Sequence, residues 1–132
     1  MMMLVPRTFR CPSCSALGMI SVFGSINVTE DANLRQLVFS DGINVVSCER
    51  CGVGCRVETS LMYHDMARGF VLWFLPGADQ NRLEQGNRRR RLKSRNGPRG
   101  YFAQAQGATS WERLKELIEA MEGMRRQESG RD

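Results

Sequence analysis

The segment CERCGVGC at residues 48–55 holds three of the five cysteines of this chain, and CPSC at residues 11–14 holds the other two. A Cys-x-x-Cys pair presents two sulfur atoms from one tight turn, so two such pairs complete a tetrahedral metal site. Gly52 follows the second pair at the point where the backbone must turn back toward sulfur. The predicted metal ligands are the four cysteines of the two pairs: Cys11, Cys14, Cys48 and Cys51.

Cys55 is the thiol left over in this interpretation. It lies four residues after Cys51, which fits a metal turn less well than the spacing of the pairs. We expect it to begin an outgoing strand, where an unligated cysteine behaves as a small apolar residue. The alternatives are unligated structural cysteines throughout, and redox chemistry at CPSC. Redox chemistry of this kind needs a helix that starts at the motif, whereas a strand pattern follows it.

Zinc is the metal that the donor set favours, and we expect it to be structural. Four thiolates close a tetrahedral site and leave no position for water or substrate. Iron accepts the same ligands and remains the alternative.

The chain shows neither a signal peptide nor an apolar run long enough to cross a bilayer. In a reducing compartment, paired cysteines favour a metal over disulfides. The sequence therefore predicts a cytoplasmic protein without membrane contact.

The hydrophobic pattern predicts an α+β fold. Residues 1–77 contain extended segments rich in β-branched and aromatic residues, with one short helix after an acidic opening at residues 29–31. We predict a small zinc-ribbon-like antiparallel β domain there, with the helix inserted in it.

A second helix is predicted at residues 107–124, packed on the β domain. Its apolar residues recur at i, i+3, i+4 and i+7, which gives one face to bury. Thr109 and Glu112 have the spacing of a capping box at its start, and Gly123 is the predicted end. Residues 125–132 are expected to fray.

Residues 78–106 lack any periodic apolar face, and we predict a flexible basic arm or insertion there. Residues 82–99 contain eight basic and one acidic side chain, which leaves about −2 for the rest of a chain of net charge +5. Clustered arginines neutralise phosphates, and Tyr101 and Phe102 could stack on unpaired bases, an arrangement suited to RNA or single-stranded nucleic acid. The predicted contacts are Arg88, Arg89, Arg90, Arg91, Lys93 and Arg95.

Two other interpretations of the basic segment stay open. In the first, the basic segment is a solvated, flexible linker that binds nothing. In the second, the protein is an interaction or assembly subunit that binds a protein partner through its sheet, and the arm is incidental. The sequence shows no Gly-rich phosphate loop, Ser-His-Asp set or carboxylate pair, and His64 lies at an expected turn beside Asp65. The predicted function is a non-catalytic, zinc-stabilised binding module.

Four stretches of the chain resemble one known family. They are FRCPSC at 9–14, SINVTEDANLRQLVFSDGINVVSCERCG at 25–52, LMYHD at 61–65 and VLWFLP at 71–76. Together they resemble the CpXC proteins, a bacterial and archaeal family named for its Cys-Pro-x-Cys motifs, and TSWERLKELIEAMEGM at 109–124 resembles its C-terminal helix. Glu49 replaces the proline of the second motif. The resemblance implies a zinc-ribbon-like domain and implies no activity.

Overall fold

The structure of the protein is a computed structural model, which describes residues 3–91 and 100–129. Its elements, in chain order, are β1 (Met3–Arg10), β2 (Leu17–Asn27), α1 (Asn33–Phe39), β3 (Val45–Ser47), β4 (Gly54–Arg56), β5 (Leu61–Asp65), β6 (Phe70–Phe74), α2 (Gln80–Arg91), a 3₁₀ helix (Gly100–Gln104), β7 (Gln106–Ala108) and α3 (Trp111–Ser129). In this part of the chain, no helix has the length and apolar composition needed to cross a membrane.

The main sheet has five strands in the order β1-β2-β5-β6-β7, and β3 and β4 form a separate hairpin. Strands β1 and β2, and also β5 and β6, run antiparallel, whereas β2 runs parallel to β5 and β6 runs parallel to β7. Parallel neighbours need a long crossover, and here the crossovers contain α1 with the β3–β4 hairpin, and α2 with the 3₁₀ helix. The predicted α+β class is confirmed, but the sheet is mixed rather than antiparallel.

The main core lies between one face of the sheet and helices α1 and α3. Tyr63, Leu72 and Phe74 point from the sheet into this core, and Leu114 and Ile118 enter it from α3. These side chains expose almost no surface, so burial of the apolar face of α3 holds it on the sheet.

The two helices on this face are also joined to each other. The indole Nε1 of Trp111 donates to the carbonyl of Val38 at 3.0 Å. Arg35 donates from Nε and Nη2 to both carboxylate oxygens of Glu122, at 2.7 and 2.8 Å. Because the Glu122 carboxylate is largely buried, this bidentate pair fixes the angle at which α1 meets α3.

The start and end of α3 differ from the prediction. Ser110, rather than Thr109, caps the helix, since its Oγ accepts the backbone N–H of Arg113 at 3.1 Å. The helix continues through Gly123 to Ser129, because a glycine weakens a helix without ending it when no turn follows. Residues 130–132 of the predicted frayed tail lie outside the described residues.

In place of the flexible arm predicted for residues 78–106, the chain forms α2 and the 3₁₀ helix on the opposite face of the sheet. Gly107 pairs with Trp73, whose side chain points away from the core face that holds Phe74. A Cβ atom at Gly107 would lie 2.8 Å from Cδ1 of Leu83, so α2 approaches β7 where no side chain intervenes. Residues 92–99 of the predicted arm lie outside the described part.

Candidate metal centre

Each cysteine pair lies in the six-residue turn of a β-hairpin, residues 11–16 between β1 and β2 and residues 48–53 between β3 and β4. The two turns share one hydrogen-bond pattern. The N–H four residues after the first cysteine donates to that cysteine's carbonyl, at 2.9 Å from Ser15 and 2.8 Å from Gly52. The first cysteine's own N–H donates to the carbonyl five residues on, at 2.9 and 2.8 Å. The same turn is therefore built twice.

The residue after each pair has a left-handed backbone conformation. Gly52 has φ of 78°, and Ser15, at the equivalent place in the first turn, has φ of 64°. This conformation lets the backbone N–H groups turn toward sulfur. It suits glycine and strains serine, which has a Cβ atom. The glycine of the second turn is visible as a signal in the sequence, whereas Ser15 carries no such signal.

The two hairpin turns bring the four sulfur atoms of Cys11, Cys14, Cys48 and Cys51 together, all within 4.8 Å of one another. The Sγ atoms of Cys11 and Cys51 are 3.5 Å apart, and those of Cys14 and Cys48 are 3.6 Å apart. A tetrahedron with metal–sulfur bonds of about 2.3 Å has sulfur–sulfur edges of about 3.8 Å. All five cysteines are unbridged, and Cys55 lies on β4 outside the cluster. The donor set fits one tetrahedral metal ion.

Backbone hydrogen bonds favour the thiolate form of two of the sulfurs, against the opposing effect of burial. Cys11 and Cys48 are buried, Cys14 is half-buried and Cys51 is exposed. The N–H of Cys14 lies 3.5 Å from Sγ of Cys11 and lowers the pKa of that thiol to about 6. The N–H groups of Cys51 and Arg50 likewise lower the pKa of Cys48. Four thiolates at this spacing repel one another unless a cation lies between them.

The pKa of Cys14 moves the other way. The N–H of Ala16 lowers it, but burial and the neighbouring thiol of Cys48 outweigh that contact and raise it. The cluster therefore holds two thiols of lowered pKa beside Cys14, whose pKa is raised. A divalent cation bound between the sulfurs neutralises their negative charge and so allows all four to ionise.

A groove of about 460 Å³ lies between the β1–β2 hairpin and the second cysteine turn. It is lined by Phe9, Ala16, Leu17, Gly18, Met19, Ile20, Ser47, Cys48, Glu49 and Arg50. Leu17 and Met19 expose 63% and 70% of their surface. An apolar surface therefore borders the candidate metal centre.

The predicted nucleic-acid contacts separate into three groups. Arg88 and Arg89 are exposed on α2, and neither forms an ion pair with another described residue. Arg90 is half-buried and donates from Nη2 to Asn87 at 3.0 Å. Arg91 is the last residue of α2, while Lys93 and Arg95 lie outside the described residues. The part of the cluster that can be located is carried by a helix rather than by an arm.

Tyr101 and Phe102 contact each other and His64 instead of standing free. Their ring centroids are 5.0 Å apart, and the ring of Phe102 lies 5.1 Å from that of His64. Nε2 of His64 and the hydroxyl of Tyr101 are 2.5 Å apart. The two aromatic rings thus cover the second face of the sheet.

His64 and Asp65 belong to β5, and the turn begins after them. Asp65 is buried and accepts hydrogen bonds from the hydroxyl of Thr29 and from the backbone and guanidinium of Arg68. Burial lowers the pKa of His64. As neighbours on a strand the two side chains point to opposite faces, so they do not form a catalytic pair.

A comparison with protein-family models matches the CpXC protein family over residues 9–127. The chain belongs to the CpXC family. The match extends beyond the cysteine turns to α2 and most of α3, so the Arg-rich segment lies inside the CpXC region. No curated protein and no solved structure matches the chain.

Proposed function

We propose that this CpXC protein is a non-catalytic binding module. Zinc stabilises its zinc-ribbon-like pair of cysteine turns. Helix α2 contacts the phosphates of RNA or single-stranded nucleic acid. One observation carries the proposal: Arg88 and Arg89 stand unpaired among the described residues, on a helix that Asn87 and Leu83 hold against the sheet. Arginines that pair with no described group and lie on an anchored helix suit phosphate binding.

Zinc accounts best for the metal centre because the four donors are all thiolates and close the coordination shell. Zinc has no redox chemistry and accepts tetrahedral geometry without distortion. Such a site remains intact where thiols stay reduced, and we propose that the protein acts in the cytoplasm. A closed site supports the fold and performs no chemistry, which is consistent with a binding role.

Phosphate contact, rather than base stacking, is the proposed mode of binding. Tyr101 and Phe102 already pack on His64, so their use as a stacking platform would break contacts within the protein. Arg88 and Arg89 on α2 have no such competing contact with the described residues. Contacts of this kind depend on salt, because each phosphate that is neutralised releases a counterion.

Fluorescence anisotropy of a labelled single-stranded RNA, measured over a range of salt concentrations, tests the proposal. The double variant Arg88→Gln, Arg89→Gln should weaken binding and lower the slope of log affinity against log salt by about 1.4, since each single-strand phosphate contact contributes about 0.7. The variant Arg7→Gln, Arg10→Gln removes the same charge from β1 and should change neither property by a comparable amount. Equal losses in both variants would mean that only net charge matters and would reject α2 as the site.

The groove beside the metal centre favours a second candidate function, binding of a protein partner. Leu17 and Met19, which lie two residues apart on β2 and line the groove, each expose more than 60% of their surface. Contiguous exposed apolar side chains mark interaction sites in soluble proteins. A complex or oligomer that survives molar salt in sedimentation velocity, and that Leu17→Ser with Met19→Ser dissociates, would favour this function over nucleic-acid binding.

A further inference from the structure

The guanidinium group of Arg90 lies against Gly86, which precedes it by about one turn of α2. A Cβ atom at Gly86 would stand 3.0 Å from Nη2 and 3.1 Å from Nη1 of Arg90. Nη2 donates to Oδ1 of Asn87, and Asn87 in turn is bonded to the backbone of Gly107. The absence of a side chain at Gly86 therefore gives Arg90 a fixed position that neither Arg88 nor Arg89 has.

A notch of about 300 Å³ opens on this side of α2. It is lined by Ala78, Asp79, Arg82, Leu83, Gly86 and Arg90. Oδ1 of Asp79 accepts the backbone N–H of Arg82 at 3.1 Å and so caps the helix. The side chains that line the notch together carry a net charge of +1.

We propose that this notch binds one phosphate group, of the monoanionic phosphodiester kind found in a nucleic-acid backbone. The inference deepens the proposed function and rests on it for the source of the phosphate. Neither Arg82 nor Arg90 forms an ion pair with a described residue. In addition, Nε of Arg90 is buried and has no acceptor among the described groups. An anion in the notch, which both side chains line, supplies acceptor oxygens to these guanidinium groups.

The Nε–Hε resonances of arginine report on this site directly in ¹⁵N–¹H NMR spectra of the full chain. Dimethyl phosphate should shift the resonances of Arg82 and Arg90 more than those of Arg88 and Arg89. A single-stranded RNA should move the resonances of Arg82 and Arg90 as well. Dimethyl phosphate shifts of equal size at all four of these arginines would overturn the proposal.

Two variants separate the notch from the remainder of α2. Arg90→Gln should weaken dimethyl phosphate binding about tenfold, since a hydrogen bond to a charged group is lost. Gly86→Ala should displace the guanidinium and weaken binding by a similar factor. Gly123→Ala is the matched control, because it makes the same change inside α3 where a Cβ atom meets nothing within 4 Å. Equal effects of the two glycine variants would overturn the proposal.

The outcomes also distinguish this inference from the proposed function. If RNA binds and depends on Arg88 and Arg89 while the resonance of Arg90 stays unmoved, the notch is rejected and the proposed function stands. If RNA does not bind at all, the proposed function fails, and the dimethyl phosphate titration still decides whether the notch binds a phosphodiester.

Discussion

Asn87 on α2 forms two hydrogen bonds with the backbone of Gly107 on β7. Its Nδ2 donates to the Gly107 carbonyl at 2.9 Å, and its Oδ1 accepts the Gly107 N–H at 2.8 Å. Asn44 does the same for Phe23 on β2: its Nδ2 donates to the Phe23 carbonyl at 3.1 Å, and its Oδ1 accepts the Phe23 N–H at 2.7 Å. In both places a side-chain amide pairs with strand backbone groups as a neighbouring strand would.

Asn87→Ala should therefore detach α2 from the sheet. Asn87 is 1% exposed, so the substitution leaves the Gly107 N–H and carbonyl buried without partners. The expected loss is about 2–4 kcal/mol in the free energy of unfolding, from two hydrogen bonds and the desolvated backbone groups. Urea denaturation followed by circular dichroism measures it.

Asn81→Ala is the control for that variant, since Asn81 is exposed on the same helix. It should change stability by less than about 0.5 kcal/mol. A loss in Asn81→Ala as large as that in Asn87→Ala would show that the bond to Gly107 is not what holds α2 in place.

This bond also explains why α2 was not predicted from the sequence. Residues 78–106 have no apolar face because α2 is anchored by one leucine, Leu83, and by a polar side chain whose partner is 20 residues away. Hydrophobic periodicity cannot show an anchor of this kind. A run of arginines with no visible partner indicates disorder by composition alone, and here tertiary contacts outweigh composition.

The strands show a similar limit. The β-branched and aromatic residues of the sequence indicate a strand from about Met19 to Val28 and another over GFVLWFLP at residues 69–76, close to the observed β2 and β6. β1 was missed since Pro6 interrupts it, which an edge strand tolerates, and β7 has only three residues, QGA. The four cysteines could be selected from spacing alone, because the ligand geometry is local to each turn. The parallel pairing depends on distant contacts and could not.

Removal of a cysteine from the cluster should release the metal. Cys48→Ser should leave less than one metal ion per chain and lower the thermal midpoint, because metal binding to such a site contributes as much free energy as folding a small domain. Native mass spectrometry and a colorimetric zinc assay give the stoichiometry. Cys55→Ser is the matched control and should keep one ion per chain. Loss of metal in Cys55→Ser would assign Cys55 to the site.

Ser15→Gly should stabilise the protein. The left-handed backbone destabilises a folded serine by roughly 1–2 kcal/mol, and glycine removes this strain. Glycine also gives the unfolded chain more conformational freedom, which offsets about half of that gain. The expected increase in the free energy of unfolding is therefore about 0.5–1 kcal/mol. Gly52→Ala, at the equivalent place in the other turn, should lose about 1 kcal/mol for the same reason. Gly18→Ala is the control, because a Cβ atom there meets nothing within 4 Å and no left-handed angle is involved. A destabilised Ser15→Gly would contradict the equivalence of the two turns.

His64 should titrate below its usual pKa of 6.5, because Tyr101 and Phe102 cover its ring and burial disfavours the charged form. Above pH 6.5 the histidine is neutral in both the folded and the unfolded chain. As the pH falls below 6.5, the unfolded chain takes up the proton first, so the contribution of His64 to stability declines as the pH passes through the lower folded pKa.

Since His64 is the single histidine, its ring protons can be followed by NMR without assignment of other sites. Phe102→Ala should expose the ring and move the pKa toward 6.5, whereas Met66→Ala, at an exposed residue of the turn after β5, should leave it unchanged. A pKa at or above 6.5 in the unmodified protein would show that the aromatic cover is open in solution.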